Sequence, residues 1–308
     1  MQCSKKAQHI CRKTEPDCLL RLFVPHGTMA VRLCKGNGGF MLSSNDMAFF
    51  REQGFVILPR QASPEWCERV IAFAQSELDQ HREPIEYEAD TCYPGAPASR
   101  EAEGGMTARR LLQAYARDPM LAGWASGPAL AEPLRQLLGD GVLLSQAHHN
   151  CIMTKQARYS TATGWHRDSR YWRFQRAELV SAWLALRRES VENGCLLVIP
   201  GSHRVQVEAG QLDAAQFLRP DVDANQALLA QAAPVELQQG DVLLFHSNLF
   251  HAAGKNQTGA TKFSMVFTYR SADNPPQTGS RSASVPEIAL AASPPEISGG
   301  TGYSVGGR

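Results

Sequence analysis

Apolar positions along this chain fall into two regimes. Between about residues 41 and 140 helical spacing predominates; after that they come in short runs, apolar or alternating, broken by Gly, Pro and Asn. Ser44-Asn45-Asp46 offers an N-cap for a short helix through Phe50 and Gln53, which Gly54 stops. Phe55-Val56-Ile57-Leu58 reads as a strand. Ser63-Pro64-Glu65-Trp66 sets a cap, a proline at the first helical position and an acid in the first turn, and predicts a helix over 64–81. Trp66, Val70, Phe73 and Leu78 line its buried side. Residues 84–105 hold Pro94, Gly95, Pro97, Gly104 and Gly105 with little period, which predicts a long loop of the kind that often closes over a site. Helices are expected over 107–117 and 128–138, the second ended by Gly139.

From Val142 onward, strands are predicted at 142–144, 179–186, 195–199, 235–237, 241–245 and 263–269. Helices first and many strands later imply a mainly β protein with flanking α-helices, an antiparallel barrel or double sheet buttressed by N-terminal helices. The two ends read differently. In 1–40, Cys3, Cys11, Cys18 and Cys34 take half of the eight cysteines, Lys and Arg outnumber Asp and Glu by seven to two, and no period persists, so this segment is expected to be a poorly ordered extension. Met41 then marks a candidate start of translation. From Asp273 the chain is rich in Ser, Pro and Gly and reads as a flexible tail, 273–308, leaving 41–272 as the working domain.

Composition narrows the partners. An apolar share of 43% can build a full core, and a formal charge of +1 supplies no basic field that would draw in nucleic acid or anionic lipid. A small-molecule partner is the expectation. No run approaches a membrane span, and the apolar stretch near Leu19 is too short and too interrupted by Arg21 for a secretory signal. Reduced thiols and a cytoplasmic location follow.

Chemistry concentrates at His166-Arg167-Asp168 and at His251. On an extended segment, residues two apart point to one face, so His166 and Asp168 can meet one ion while Arg167 turns away. With nine histidines and 30 acids, about one such pair arises from composition alone, so a distant third ligand must add weight. His251 and His246 both follow the strand that begins after Gly240-Asp241. Two imidazoles and a carboxylate cap one face of an octahedron and leave three positions open, the arrangement of non-haem Fe(II) oxygenases. Zinc accepts the same donors, so a zinc hydrolase or a non-catalytic metal-binding β-barrel remains open on the residues alone. His-Arg-Asp also occurs in protein-kinase catalytic loops. That reading fails, because the Asn expected five residues after the Asp is Arg173 and no Asp-Phe-Gly is present.

Trp165-His166-Arg167-Asp168, Glu192-Asn193-Gly194-Cys195 through Pro200-Gly201-Ser202-His203-Arg204, Gly240-Asp241 through Phe245-His246, and His251-Ala252-Ala253-Gly254-Lys255-Asn256 together resemble the phytanoyl-CoA dioxygenase family. Phe49 through Val56 is similar to that family's first helix and strand, so the resemblance covers about 45–270. It implies a double-stranded β-helix (a jelly-roll or cupin-like barrel) that uses Fe(II), 2-oxoglutarate and O₂. It also implies that His166, Asp168 and His251 bind the metal, with His251 favoured over His246 because the family's ligand precedes the Ala-Gly-x-Asn stretch.

The resemblance further places an arginine eleven residues after the distal histidine to anchor the far carboxylate of 2-oxoglutarate. Here that position is Lys262, which supplies a point charge without the arginine fork; Arg270 is the fallback. Asn150 corresponds to a 2-oxoglutarate contact and Gln146 to a pocket residue, on a strand where Gln146, His148 and Asn150 would alternate. Related halogenases replace the carboxylate ligand with a small residue, so Asp168 implies hydroxylation. His203 reads as a turn-bonding residue. Trp172 and Tyr171 are candidate pocket walls and Tyr93 a candidate lid residue. Arg167, Arg170, Arg173 and Arg176 recur every third residue, either as a solvated basic surface or as partners for an anionic substrate.

Overall fold

The computed structural model describes residues 41–291, together with the backbone of four short strands at Leu19–Val24, Gly27–Arg32, Lys35–Gly36 and Gly39–Phe40. These pair as two local hairpins where the sequence had shown no strand period. The remainder of the expected extension, and residues 292–308 of the expected tail, lie outside the described residues.

A nine-stranded sheet and a four-stranded sheet form the body, without closing into a barrel. The larger one runs Phe55–Leu58, Val242–His246, Leu179–Ala185, Lys262–Ser271, Asn150–Lys155, Ala108–Leu112 and Ile85–Tyr87, with Val142–Leu144 and Ile288–Ala289 continuing off the far half of Lys262–Ser271. The smaller runs Thr163–His166, His251–Ala253, Leu196–Val198 and Ala233–Val235. Strand pairing in both is antiparallel.

Side-chain alternation divides the core between two faces of the large sheet. Val56, Leu58, Val180, Ala182, Leu184, Val242, Leu244, Met265 and Phe267 pack on the helices, beside Cys67, Val70, Leu121, Leu130 and Leu134. Phe55, Ile57, Trp183, Ala185, Leu243, Phe245 and Val266 face the small sheet and meet Leu196, Val198, Val235 and Ala253. Each fully buried aliphatic side chain of this kind is worth roughly 1.5–3 kcal/mol. Together they hold the small sheet, which carries the site, against a rigid floor.

The helices follow their local signals. Ser43 caps Ser44–Gln53 in a reciprocal bond with Asp46, and Gly54 ends it at a φ of 82°. Ser63 caps Pro64–Asp79, and Pro128–Leu138 lies where expected. The helix expected over 107–117 is instead the strand Ala108–Leu112 followed by the single turn Ala114–Arg117. Arg109 and Leu111 alternate inward there, and pairing with Ile85–Tyr87 and Asn150–Lys155 overrides helix propensity. Part of the loop expected at 84–105 is therefore strand, at Ile85–Tyr87, followed by a 3₁₀ turn at Glu88–Thr91.

The C-terminal boundary at 272 also shifts. Residues 273–291 are packed: Ile288–Ala289 pairs with Val142–Leu144, Leu290 is buried, and Glu287 holds Arg270 in an ion pair. Asn274 bonds the Arg176 carbonyl at 3.0 Å, and the Ser282 hydroxyl accepts from the Arg173 N–H at 2.8 Å. Serine and proline richness here marks irregular backbone tied down by side-chain bonds rather than mobility. No helix among the described residues is long and apolar enough to cross a membrane.

Candidate metal centre

His166 ends the strand Thr163–His166, Asp168 opens the 3₁₀ turn that follows, and His251 starts the neighbouring strand directly opposite His166. This register brings residues 85 apart together. One ligand atom from each lies within 4.8 Å of the others, and all three residues are buried. The strands Thr163–His166 and His251–Ala253 are themselves fixed: the Arg109 Nη2 group donates to Thr163 Oγ1 at 2.7 Å, and Leu196–Val198 pairs with His251–Ala253.

Both imidazoles are pinned in the same way. His166 Nδ1 lies 2.9 Å from the Gly164 carbonyl oxygen and His251 Nδ1 3.0 Å from that of Leu249, so each Nδ1 carries the proton and donates it. Each Nε2 is then a free lone pair aimed inward. Asp168 Oδ1 lies 3.7 Å from Nε2 of His166 and 3.6 Å from Nε2 of His251, too far for hydrogen bonds. It is close enough for one ion about 2.0–2.2 Å from each atom. Burial, and next the neighbouring His251, hold His166 well below the usual histidine range, which keeps it in the neutral form that ligates. Asp168 Oδ2 is buried with no hydrogen-bond partner, and His149 Nδ1 approaches it to 3.5 Å. A buried carboxylate oxygen left unbonded is costly unless a cation completes it. These residues fit a divalent metal.

His246, the competing ligand, is elsewhere. Its Nδ1 accepts the Asn248 backbone N–H at 3.0 Å and its ring packs on His203 at 5.2 Å. His203 in turn bonds the Arg51 carbonyl at 3.1 Å and rests against Gly54, where any Cβ would meet its ring at 2.5 Å. It ties the end of a distant helix, where the sequence had suggested a bond to its own turn.

The other expected residues divide. Lys262 lines the pocket with His166 and His251, but its ammonium is held 2.9 Å from Glu189 Oε2. Arg270, the fallback, is held by Glu287 at the opposite end of the strand. Asn150 shares the face of Ile152, toward the helices, and its Oδ1 accepts the Tyr115 N–H at 2.8 Å. Gln146 reaches Pro286 at 2.8 Å. Neither lines the pocket, because strand geometry begins only at Asn150 and the expected alternation from 146 is lost in a turn. Trp172 is a core residue packed with Phe174 and Leu179, one ring removed from the site through an edge contact with His149 at 5.3 Å. Tyr171 is exposed and stacked by Arg170. Tyr93 meets Phe217 edge-on at 5.5 Å, and Phe217 packs on His166 at 5.7 Å, so the 84–105 segment does reach the site.

Residues without a local sequence signal complete the pocket: Arg109, Arg110, His149, Lys155 and Trp183. Arg109 pairs with Glu88 at 2.9 Å, Arg110 with Glu86, and the Trp183 Nε1–H donates to Glu189 at 2.8 Å. Strand register across the large sheet brings them together. Leu196, Phe245 and Ala253 add an apolar wall beside them.

A family model described as phytanoyl-CoA dioxygenase matches residues 50–264. The chain is 25% identical over 245 residues to a probable phytanoyl-CoA dioxygenase of Caenorhabditis elegans, covering 71% of this chain and 72% of that protein. It is 26% identical over 251 residues to ectoine dioxygenase of Sphingopyxis alaskensis, covering 76% and 77%. Among solved structures, EctD from S. alaskensis with 2-oxoglutarate and 5-hydroxyectoine superposes with a TM-score of 0.62 at 22% identity, over 88% of this chain and 89% of that one. The α-ketoglutarate-dependent carbocyclase SnoK gives 0.60 at 22%, over 77% and 87%. The jelly-roll fold is thereby shared.

Proposed function

The chain belongs to the phytanoyl-CoA dioxygenase family, and from that premise we propose a non-haem Fe(II)- and 2-oxoglutarate-dependent dioxygenase that hydroxylates a C–H bond of a small molecule. The observation that carries this reading is the His166, Asp168 and His251 cluster, with both Nδ1 atoms committed to carbonyls and one Asp168 oxygen unbonded. Bound there, Fe(II) supplies O₂ activation coupled to oxidative decarboxylation of 2-oxoglutarate, so that substrate, 2-oxoglutarate and O₂ give hydroxylated product, succinate and CO₂.

The protein's own part is positional. The Gly164 and Leu249 carbonyls fix ring orientation and tautomer. Gly164 also leaves room for Phe217, which a Cβ there would approach to 3.0 Å, and Phe217 covers His166 on the side of the 84–105 segment. Asp168 would hold the metal together with the two imidazoles, and its carboxylate would offset part of the ion's charge. Four cations line the pocket and three of them are paired with a carboxylate, and the remaining positive charge favours an anionic cosubstrate. A cytoplasmic setting is part of the same reading, supported by Cys67, Cys92, Cys151 and Cys195 being free thiols.

Anaerobic addition of Fe(II) and then 2-oxoglutarate tests the proposal. A weak visible charge-transfer band should appear with the wild-type protein and be absent from His166→Ala. No band, or one unchanged in the variant, overturns it. O₂-dependent succinate release across a panel of small metabolites then addresses the substrate.

A further inference from the structure

Arg109, Arg110, Lys155 and Lys262 line the pocket beside His166 and His251. Three of these cations have a carboxylate of their own: Glu88 lies 2.9 Å from Arg109, Glu86 pairs with Arg110, and Glu189 lies 2.9 Å from Lys262. Lys155 has no ion-pair partner among the described residues. Its Nζ donates to two carbonyl oxygens, those of Thr161 at 3.3 Å and of Gly254, although the residue is only 7% exposed. An ammonium has three donors, so one N–H is left over, and among the described residues no carboxylate lies within ion-pair distance of the charge. Burying such a charge is unfavourable unless an anion joins it.

Lys262, by contrast, is not free to meet a ligand. Glu189 is completely buried and is fixed from three sides, by Lys262, by the Trp183 Nε1–H at 2.8 Å and by the Ser264 hydroxyl. Drawing Lys262 away would strand a buried carboxylate. Lys155 stands directly opposite Lys262 in the ladder between Asn150–Lys155 and Lys262–Ser271. Directly opposite residues in a ladder share a face, one strand spacing of about 4.8 Å apart.

We infer that Lys155, and not Lys262, is the cation that receives the outer carboxylate of 2-oxoglutarate. The inference rests on the oxygenase reading above and moves the anchor by one strand. Its electrostatics agree: burial first, then Lys262 and Arg109, pull the Lys155 pKa down to about 7, with Glu88 and Glu189 opposing. Above that pH the amine is largely neutral in the free protein. A bound carboxylate favours the ammonium, so ligand binding at pH 8 takes up a proton.

Calorimetric titration of Mn(II)-loaded protein with 2-oxoglutarate at pH 8, in two buffers of different ionisation enthalpy, reads affinity and proton uptake together. The wild-type protein should take up a measurable fraction of a proton. Lys155→Gln should bind 2-oxoglutarate about 10- to 100-fold more weakly, the loss expected for one charge-assisted hydrogen bond, and take up none. Its Mn(II) affinity should be unchanged. Lys155→Arg should recover part of the affinity without proton uptake, since arginine is already charged. The charge-neutral double variant Glu189→Gln, Lys262→Gln should stay within about threefold of wild type, a difference under 1 kcal/mol.

Affinity lost in that double variant and kept in Lys155→Gln overturns the inference. So does a Lys155→Gln protein that loses Mn(II) and 2-oxoglutarate together without rescue by arginine, which assigns Lys155 to the scaffold. A wild-type protein that takes Mn(II) but no 2-oxoglutarate overturns the oxygenase reading itself, a result separable from both.

Discussion

Glu189→Gln is the sharpest perturbation of the pocket floor, because it keeps the side chain's size and removes only its charge. Glu189 is fully buried, and the side chain of Lys262 beside it is 3% exposed. In the variant the Lys262 ammonium keeps a neutral acceptor at best, while the new amide hydrogens face the Lys262 and Trp183 donors. Breaking a buried ion pair from one side costs about 3–5 kcal/mol, a large share of a total stability of about 5–15 kcal/mol. Removing both charges is different: Glu189→Gln with Lys262→Met leaves no isolated ion and should lie within about 2 kcal/mol of wild type. The two single changes should therefore be non-additive by at least about 4 kcal/mol. Urea unfolding followed by tryptophan fluorescence measures each corner of the cycle, with Trp183 itself in the network. If Glu189→Gln costs under about 1 kcal/mol, or the singles simply add, the buried pair does not hold Lys262 as argued.

Three further expectations are independent of it. Replacing His166, Asp168 or His251 by alanine should weaken Mn(II) binding by about 100-fold or more, while His246→Ala should bind normally, because its ring packs on His203 outside the cluster; paramagnetic relaxation of water protons reports both. Ending the chain after Ala272 should lower the thermal midpoint by more than 5 °C or prevent folding, since it removes the strand on Val142–Leu144 and leaves Arg270 without Glu287; a midpoint equal to that of a chain ending at Ala291 would show the segment to be a tail after all. Burial depresses His148 to about 3 and His246 to about 4, below the ordinary value, so the stability they contribute is fully present above about pH 6.5, is lost progressively below it, and is gone once pH has fallen through 4 to 3. Urea midpoints at pH 7 and pH 4.5 should differ, and less so in a His148→Phe, His246→Phe variant; an unchanged difference would place the acid sensitivity in other groups.

Elements with their own punctuation were legible in the sequence. The capped helices Ser44–Gln53 and Pro64–Asp79 and the run Phe55–Leu58 carry their signals within a few residues. Ala108–Leu112 was not, because a stretch with Arg109, Arg110 and two leucines suits either period, and only the partners Ile85–Tyr87 and Asn150–Lys155 decide. Segment 273–291 misled for a related reason. Serine, proline and glycine exclude regular structure, but whether irregular backbone moves depends on what it bonds, and here it bonds Arg173, Arg176 and Arg270.

The metal end and the far end of the pocket are built by different rules, and this explains which half could be read in advance. At the metal end each histidine is pinned by the carbonyl two residues before it, Gly164 for His166 and Leu249 for His251, and Asp168 follows His166 by two. Those are local devices, so the three clustered residues show themselves in short motifs. At the far end the charge on one residue is decided by another on a different strand: Lys262 is neutralised by Glu189, and Lys155 is left unbalanced because no acid stands across from it. A motif reports that a cation occupies position 262, yet it carries no record of whether that cation is already engaged. A carboxylate within ion-pair reach, Glu189 at 2.9 Å, is what leaves the lysine at 262 already engaged, and only the folded sheet records it.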